Sequence, residues 1–374
     1  MKPATACLFV LVCAFTAHAA DPIPPTLSAR AWLLYDFSGG SVIASRNAEQ
    51  RAAPASLTKL MTAYVLFGAL RDGRLKLSQT LPVSNRAWKV TGSRMFLEPA
   101  KPARVEDMLY GLIVQSANDA AVALAEGVAG SESAFVAIMN QEAGRLGLKA
   151  THFANATGLP QRDHYSAAAD LALLAAAIIR DHPDYFLYYS IREFRYNGIA
   201  QVNRNLLLGR DPYVDGMKTG YTQSAGYCFV VTAHRGPRRL IAVLLDASSE
   251  SARAADGQKL LNFGFERFEM VRLYEKGQVV DNLPVWKGAQ DILRAGVDKD
   301  LFLTLPRGAR DRLNAKLESM QPLLAPVGAG QEVATLHVRL GEQALGDYAV
   351  VALERIGMAN IFGRTWDSLR LWFN

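Results

Sequence analysis

The chain has 374 residues, 50% of them hydrophobic and 20% charged, with a formal net charge of +6. That is ordinary globular composition, long enough for two domains. The positive charge is scattered, with no basic run interleaved with aromatics, which argues against a nucleic-acid partner.

The first twenty residues differ from the rest. Lys2 is their only charge, "ACLFVLVCAF" runs from Ala6 to Phe15, and "AHA" ends at Ala19. This pattern predicts a secretory signal peptide over 1–20, cleaved after Ala19 or Ala20 and too short to span a membrane. Losing Lys2 lowers the net charge from +6 to +5. Cys7 and Cys13 leave with the leader, so Cys228 stands alone and no internal disulfide is expected. Cys13 follows Val12 rather than a small residue, so no lipoprotein anchor is read. An exported chain without disulfides must be stable through its core. Its mild basicity suits an anionic envelope or membrane surface.

In chain order, Ser28–Gln50 reads as two strands around Ser-Gly-Gly, a hairpin. "PASLTKLMTAYVLFGAL" follows, from Pro54 to Leu70. Leu60, Met61, Tyr64 and Val65 recur at helical spacing, and Ser56 would serve as an N-cap. Val105–Leu146 is helical and Ala-rich, and within it Ser116 and Asn118 of "VQSANDAAVALAE" could be helix caps. Ala167–Ile179 reads as a buried helix. After Asp211 the texture turns to strands. "DGMKTGYT" sets Lys218, Thr219 and Gly220 together, and "GYCFVVTAHRGPRRLIAVLLDA" holds two apolar runs around Arg-Gly-Pro-Arg. "ESARAADGQKLLNFGFERF" reads as a closing helix. One sheet flanked by helices would unite these elements. From about Tyr274, "LFLTLPRG" and "EVATLHVRL" predict a small all-β domain over 274–357. The tail, "NIFGRTWDSLRLWFN", predicts an amphipathic helix over 358–374. At 100° per residue Ile361, Phe362, Trp366, Leu369, Trp372 and Phe373 share one arc, with Arg364, Asp367, Arg370 and Asn374 opposite. It suits a membrane interface; the alternative is a helix docked on its own domain.

A serine hydroxyl is a weak nucleophile until a base takes its proton. Lys59 lies three residues after Ser56, over the same helical face, and can reach it. It must be neutral to act as a base, and burial or a second ammonium would lower its pKa. Lys218 is the candidate for that second charge.

Ser-x-x-Lys, Ser-x-Asn and Lys-Thr-Gly, in this order, form the set found in β-lactamases and penicillin-binding proteins. The chain resembles the low-molecular-mass penicillin-binding proteins, the serine D-alanyl-D-alanine carboxypeptidases. "GSRMFLEP", "GLKATHFANATGLP", "VNRNLLL" and "GVDKDLFLTLPRG" extend the resemblance over nearly the whole length. It implies an α+β, β-lactamase/transpeptidase-like catalytic domain over 21–273. That domain has an antiparallel sheet flanked by helices and a helical subdomain.

By the same resemblance, Ser56, Lys59 and Ser116 are catalytic, with Ser116 relaying a proton to the leaving amine. Asn118 would hold the substrate amide, and Lys218 would attract the substrate carboxylate. Backbone N–H groups of Ser56 and Tyr221, beside Thr219 and Gly220, would form the oxyanion hole. Tyr221 departs from the family, whose members carry histidine there; this bears on deacylation and substrate preference. Ala117 replaces a frequent glycine. Arg253, with Arg204 as a second candidate, would bind the terminal carboxylate.

The implied reaction removes terminal D-alanine from peptidoglycan pentapeptide stems through an acyl-enzyme, with β-lactams as covalent inhibitors. Alternatives are a DD-endopeptidase or transpeptidase, or a slow penicillin-binding scaffold. The implied place is the periplasm, at the outer face of the cytoplasmic membrane. No cofactor or metal is expected. His152, His164, His182, His234 and His337 include no H-E-x-x-H and read as surface or capping residues. No E-x-x-L-N pattern lies between Asn118 and Lys218, which disfavours a class A β-lactamase.

Overall fold

The computed structural model describes residues 22–99, 101–360 and Asp367. The expected signal peptide lies outside the described residues, as does all of the expected tail helix except 358–360 and Asp367. Asp367 Oδ2 accepts a 2.6 Å hydrogen bond from the Lys287 backbone N–H.

The predicted hairpin forms as β1 (Ala31–Asp36) and β2 (Ser41–Arg46). Helix α1 (Lys59–Arg71) follows, and all of it except Gly68 and Arg71 is buried. A helix apolar all round belongs at the centre of a core, so one buried face was too modest an expectation. Nor does Ser56 cap it. Ser56 lies in a 3-10 turn, Ala55–Thr58, ahead of the helix, and Thr58 holds the N-cap position.

The Ala-rich stretch divides into Val105–Tyr110, a π-turn Gly111–Gln115, α2 (Asn118–Ala129) and α3 (Glu132–Arg145). The break falls at Ser116, whose φ of 63° is left-handed. Helix α4 (Ala168–Asp181) matches the predicted buried helix. Strands β3 (Val214–Thr222), β4 (Gly226–Arg235) and β5 (Arg238–Ala247) precede α5 (Glu250–Arg267).

The main sheet runs β2-β1-β5-β4-β3 and is antiparallel throughout. Its central strands are apolar on both faces because both are covered. Leu33, Val230 and Val243 join the core built on α1, α2 and α4. Their neighbours Leu34, Val231 and Leu244 point the other way, to Leu260 and Leu261 of α5. One of the two edge strands, β3, carries the Lys-Thr-Gly segment against the Ser56 turn.

The second unit comprises β6 (Phe268–Tyr274), β7 (Val279–Trp286), β8 (Ile292–Gly296), β9 (Leu301–Pro306), β10 (Leu313–Ser319), β11 (Leu323–Leu324), β12 (Glu332–Leu340) and β13 (Gln343–Ala352). Six of them form a sheet ordered β10-β12-β13-β8-β7-β11, and β6 pairs with β9. That pairing begins at Phe268, ahead of the expected boundary at 274. No glycine or proline separates α5 from β6, so the sequence offered no break there.

The two units meet at a buried charge. Asp36, at the end of β1, is fully buried. Its Oδ2 accepts from Arg238 Nε and from Thr304 Oγ1, both at 2.8 Å, and its Oδ1 accepts from the Ser38 and Gly39 N–H groups at 3.0 Å. Arg238 Nη1 continues to the Phe268 carbonyl at 2.7 Å.

Candidate active site

The turn before α1, together with α2, β3 and α5, converges on one cleft of about 530 Å³. Ser56, Ser116, Asn118, Arg204, Thr219, Gly220, Tyr221 and Arg253 line it. Lys59 and Lys218 are not on its surface; they stand buried behind it.

The turn that carries Ser56 is held from two sides by close backbone contacts. Ala55 has a left-handed φ of 46°, unusual for a residue with a side chain. Gly220 of β3 passes so close that a Cβ there would lie 3.1 Å from the Ser56 nitrogen. Gly158, at φ 86°, passes closer still: a Cβ would lie 1.8 Å from the Ala55 carbonyl oxygen. Gly158 is required by both contact distance and backbone angle, whereas a side chain at Gly220 would push the strand and the turn slightly apart.

Lys59 Nζ lies 3.2 Å from Ser56 Oγ and donates to Asn118 Oδ1 and to the Thr157 carbonyl, each at 2.6 Å. Burial pulls its pKa down to about 7; Asp119 opposes this and the Arg204 charge assists it. Lys218 donates to the Thr219 carbonyl at 2.8 Å. Its pKa is lowered well below the ordinary value, first by burial, then by the charges of Lys59, Arg204 and Arg253. The charge of Lys59 contributes to lowering Lys218, and the charge of Arg204 contributes to lowering both. Two ammonium groups buried in one site disfavour one another, an effect that adds to burial in lowering both.

Ser116 Oγ is buried and has no hydrogen-bond partner among the described residues. Its left-handed backbone follows the π-turn, a pairing of local irregularities common where a side chain must be aimed. Asn118 is engaged at both ends of its amide: Oδ1 by Lys59, and Nδ2 by the Thr91 carbonyl at 2.7 Å. It thus positions Lys59, which the expected contact with substrate did not include. Arg204 is exposed and donates to Ser93 Oγ at 3.2 Å. Tyr221 is exposed, its ring 4.4 Å from that of Tyr227.

Residues 16–249 match the family described as D-alanyl-D-alanine carboxypeptidase, and residues 268–357 match the C-terminal domain of penicillin-binding protein 5. The chain belongs to the D-alanyl-D-alanine carboxypeptidase family. It is 40% identical to D-alanyl-D-alanine carboxypeptidase DacA of Escherichia coli, across 96% of this chain and 93% of that one. Among solved structures, penicillin binding protein 5 from Haemophilus influenzae is similar with a TM-score of 0.85 and 35% identity, covering 90% of this chain and 99% of that one. Penicillin-Binding Protein D2 from Listeria monocytogenes, solved in its ampicillin-bound form, is similar with a TM-score of 0.60 and 33% identity, over 64% of this chain and 98% of that one. The chain is a serine-type carboxypeptidase, a hydrolase of the penicillin-binding class.

In this carboxypeptidase several supporting residues escaped the sequence reading. Asn155 Oδ1 accepts from the Thr157 N–H at 3.1 Å and the Gly158 N–H at 2.8 Å, folding the loop that brings the Thr157 carbonyl to Lys59. Asp119 accepts from the Met95 and Leu97 N–H groups at 3.0 Å, docking "GSRMFLEP" beside the cleft. Asn205 Nδ2 donates to the Gly216 carbonyl of β3 at 3.1 Å, a structural task for "VNRNLLL". These quoted matches were the available signal, although they named no roles.

His164 is not a surface residue. It is buried, and its Nδ1 accepts from the Ala154 N–H at 3.0 Å. The proton therefore sits on Nε2, which donates to Thr58 Oγ1 at 2.8 Å, and Thr58 donates to the Ala55 carbonyl at 2.9 Å. Burial, assisted by His152 and Lys59, pulls the His164 pKa down to about 4, so it supports the nucleophile's turn as a neutral ring.

Proposed function

We propose that this carboxypeptidase acts on peptidoglycan pentapeptide stems with Ser56 as nucleophile and Lys59 as its base. The observation that carries the reading is the Lys59 amine, buried, near neutrality and 3.2 Å from Ser56 Oγ. A neutral amine has two N–H bonds and one lone pair. The N–H bonds go to Asn118 and Thr157, which leaves the lone pair for the Ser56 O–H. Ser56 Oγ attacks the carbonyl of the penultimate D-alanine while Lys59 takes the proton. The N–H groups of Ser56 and Tyr221 stabilise the oxyanion. Ser116 passes a proton to the leaving amine, the terminal D-alanine departs, and water hydrolyses the ester on Ser56. Arg253 receives the terminal carboxylate, with Thr219 and Arg204 beside it and Lys218 buried behind Thr219. A β-lactam, which resembles the acyl-D-Ala-D-Ala unit, acylates the same serine.

The signal-peptide pattern over 1–20 and the amphipathic pattern of the tail support a location outside the cell, in the periplasm on the outer face of the cytoplasmic membrane. Read as a helix from its sequence, the tail would set six large apolar side chains on one arc, which supports interfacial binding. One experiment addresses both parts. Fluorescent penicillin is reacted with the mature chain and with a form ending at Ile356, in the presence of anionic vesicles. The expected result is an adduct on Ser56 in both forms, with only the longer form sedimenting. An adduct on another residue overturns the nucleophile, and sedimentation of the shorter form overturns the anchor.

A further inference from the structure

Arg253 already holds a carboxylate. Arg253 is 4% exposed, with its guanidinium carbon 5.7 Å from the Tyr227 ring centre and 5.8 Å from that of Phe229. Nη1 donates to the Gly220 carbonyl at 3.3 Å, beside the Ser56 turn. Nη2 donates to Glu250 Oε1 at 3.0 Å. The Glu250 side chain is 55% exposed and lines the same cleft as Ser56. An arginine fixed by aromatic rings has little freedom to swing toward a ligand, so a ligand must come to it and meet whatever occupies its outward arm.

We propose that Glu250 is a tethered competitor for the substrate. Its carboxylate occupies Arg253 in the free enzyme and is displaced when the terminal carboxylate of the peptide arrives. This rests on the reading of Arg253 as the carboxylate receptor. Glu250 belongs to the first turn of α5, where an acid also favours the helix N-terminus. That role accounts for an acidic side chain and predicts an effect on stability alone. Competition predicts an effect on substrate binding. The ion pair is present only in the free enzyme, so removing it strengthens binding and leaves the bound complex as it was.

The test measures kcat and KM on a stem-mimicking peptide ending in D-Ala-D-Ala for wild type, Glu250→Gln, Arg253→Lys and the double variant. Glu250→Gln is expected to lower KM about three- to fivefold, the factor a partly exposed ion pair is worth, with kcat unchanged. The effect should vanish in the Arg253→Lys background, whereas simple repulsion between Glu250 and an anionic substrate would persist there. An unchanged or raised KM in Glu250→Gln, with KM raised in Arg253→Lys, overturns the competitor and leaves the receptor standing. A folded Arg253→Lys enzyme with wild-type KM overturns the receptor, and the competitor with it. If Arg253→Lys does not fold, inhibition by free N-acetyl-D-alanine decides. A lower inhibition constant for Glu250→Gln than for wild type supports competition, and equal constants overturn it.

Discussion

With its pKa held at about 7, Lys59 is about half neutral at physiological pH, and the neutral fraction is the one that can take the Ser56 proton. Because the pKa is lowered from the ordinary lysine range, the base is gained as pH rises through about 7 and lost below it. About a tenth of the amines are neutral at pH 6 and about nine tenths at pH 8. The second-order rate of penicillin acylation should therefore rise roughly tenfold between those values, with its midpoint near 7. Lys59→Arg keeps a charge that cannot be lost, and should acylate several orders of magnitude more slowly while folding normally. A rate independent of pH from 5 to 8 would place the base elsewhere. At this scale the sequence conveyed reach but not environment. The spacing of Ser56 and Lys59 fixes their contact because both lie on one short stretch of chain. The Thr157 carbonyl, His164 and the arginine that biases Lys59 come from segments roughly a hundred residues away or more, which only folding brings near.

Strand β3 and the Ser56 turn are separate elements whose contact depends on one missing side chain. Gly220 lets the strand edge come within van der Waals distance of the Ser56 nitrogen, with Pro54 O and Ala55 Cβ also close. A methyl group there would sit 3.1–3.2 Å from all three, and the neighbours are backbone or a short rigid side chain that cannot swing aside. The strand must move outward by a few tenths of an ångström, carrying the Tyr221 N–H with it. Donor geometry at an oxyanion is worth about 10²–10³-fold in rate. Gly220→Ala should lose acylation by about that factor with the fold retained by circular dichroism. A variant acylating within threefold of wild type would show that β3 does not deliver the second donor. Element types were readable from apolar texture, as in β4, β5 and α4. The break at Ser116 was not, because alanine, serine and asparagine all suit a continuing Ala-rich helix or its caps, and the π-turn is set by packing. The start of β6 was hidden for the same kind of reason: "FERFEM", which crosses the junction, has neither glycine nor proline.

Across the whole molecule, the two units are joined through Asp36, a residue on which the sequence reading was silent. It ends β1 of the catalytic sheet, pairs with Arg238 of β5, and takes the Thr304 hydroxyl from β9 of the second unit. Arg238 in turn bonds the carbonyls of Gly264 and Phe268 on either side of the junction. Both charges are buried, so each is tolerated only because the other is present. Removing the carboxylate leaves the guanidinium uncompensated. Asp36→Ala should therefore lower stability toward urea by about 3–5 kcal/mol. Thr304→Val removes one neutral donor from the same carboxylate and should cost only about 1–2 kcal/mol. The cleft lies at the β3 edge and Asp36 on β1, so penicillin acylation by whatever fraction stays folded should proceed at the wild-type rate. Urea titration followed by intrinsic fluorescence, with acylation measured on the same preparations, gives both quantities. A loss below about 1 kcal/mol for Asp36→Ala would mean that apolar contacts hold the junction without the ion pair. A slowed acylation in the folded Thr304→Val enzyme would mean that the second unit shapes the cleft as well as standing beside it.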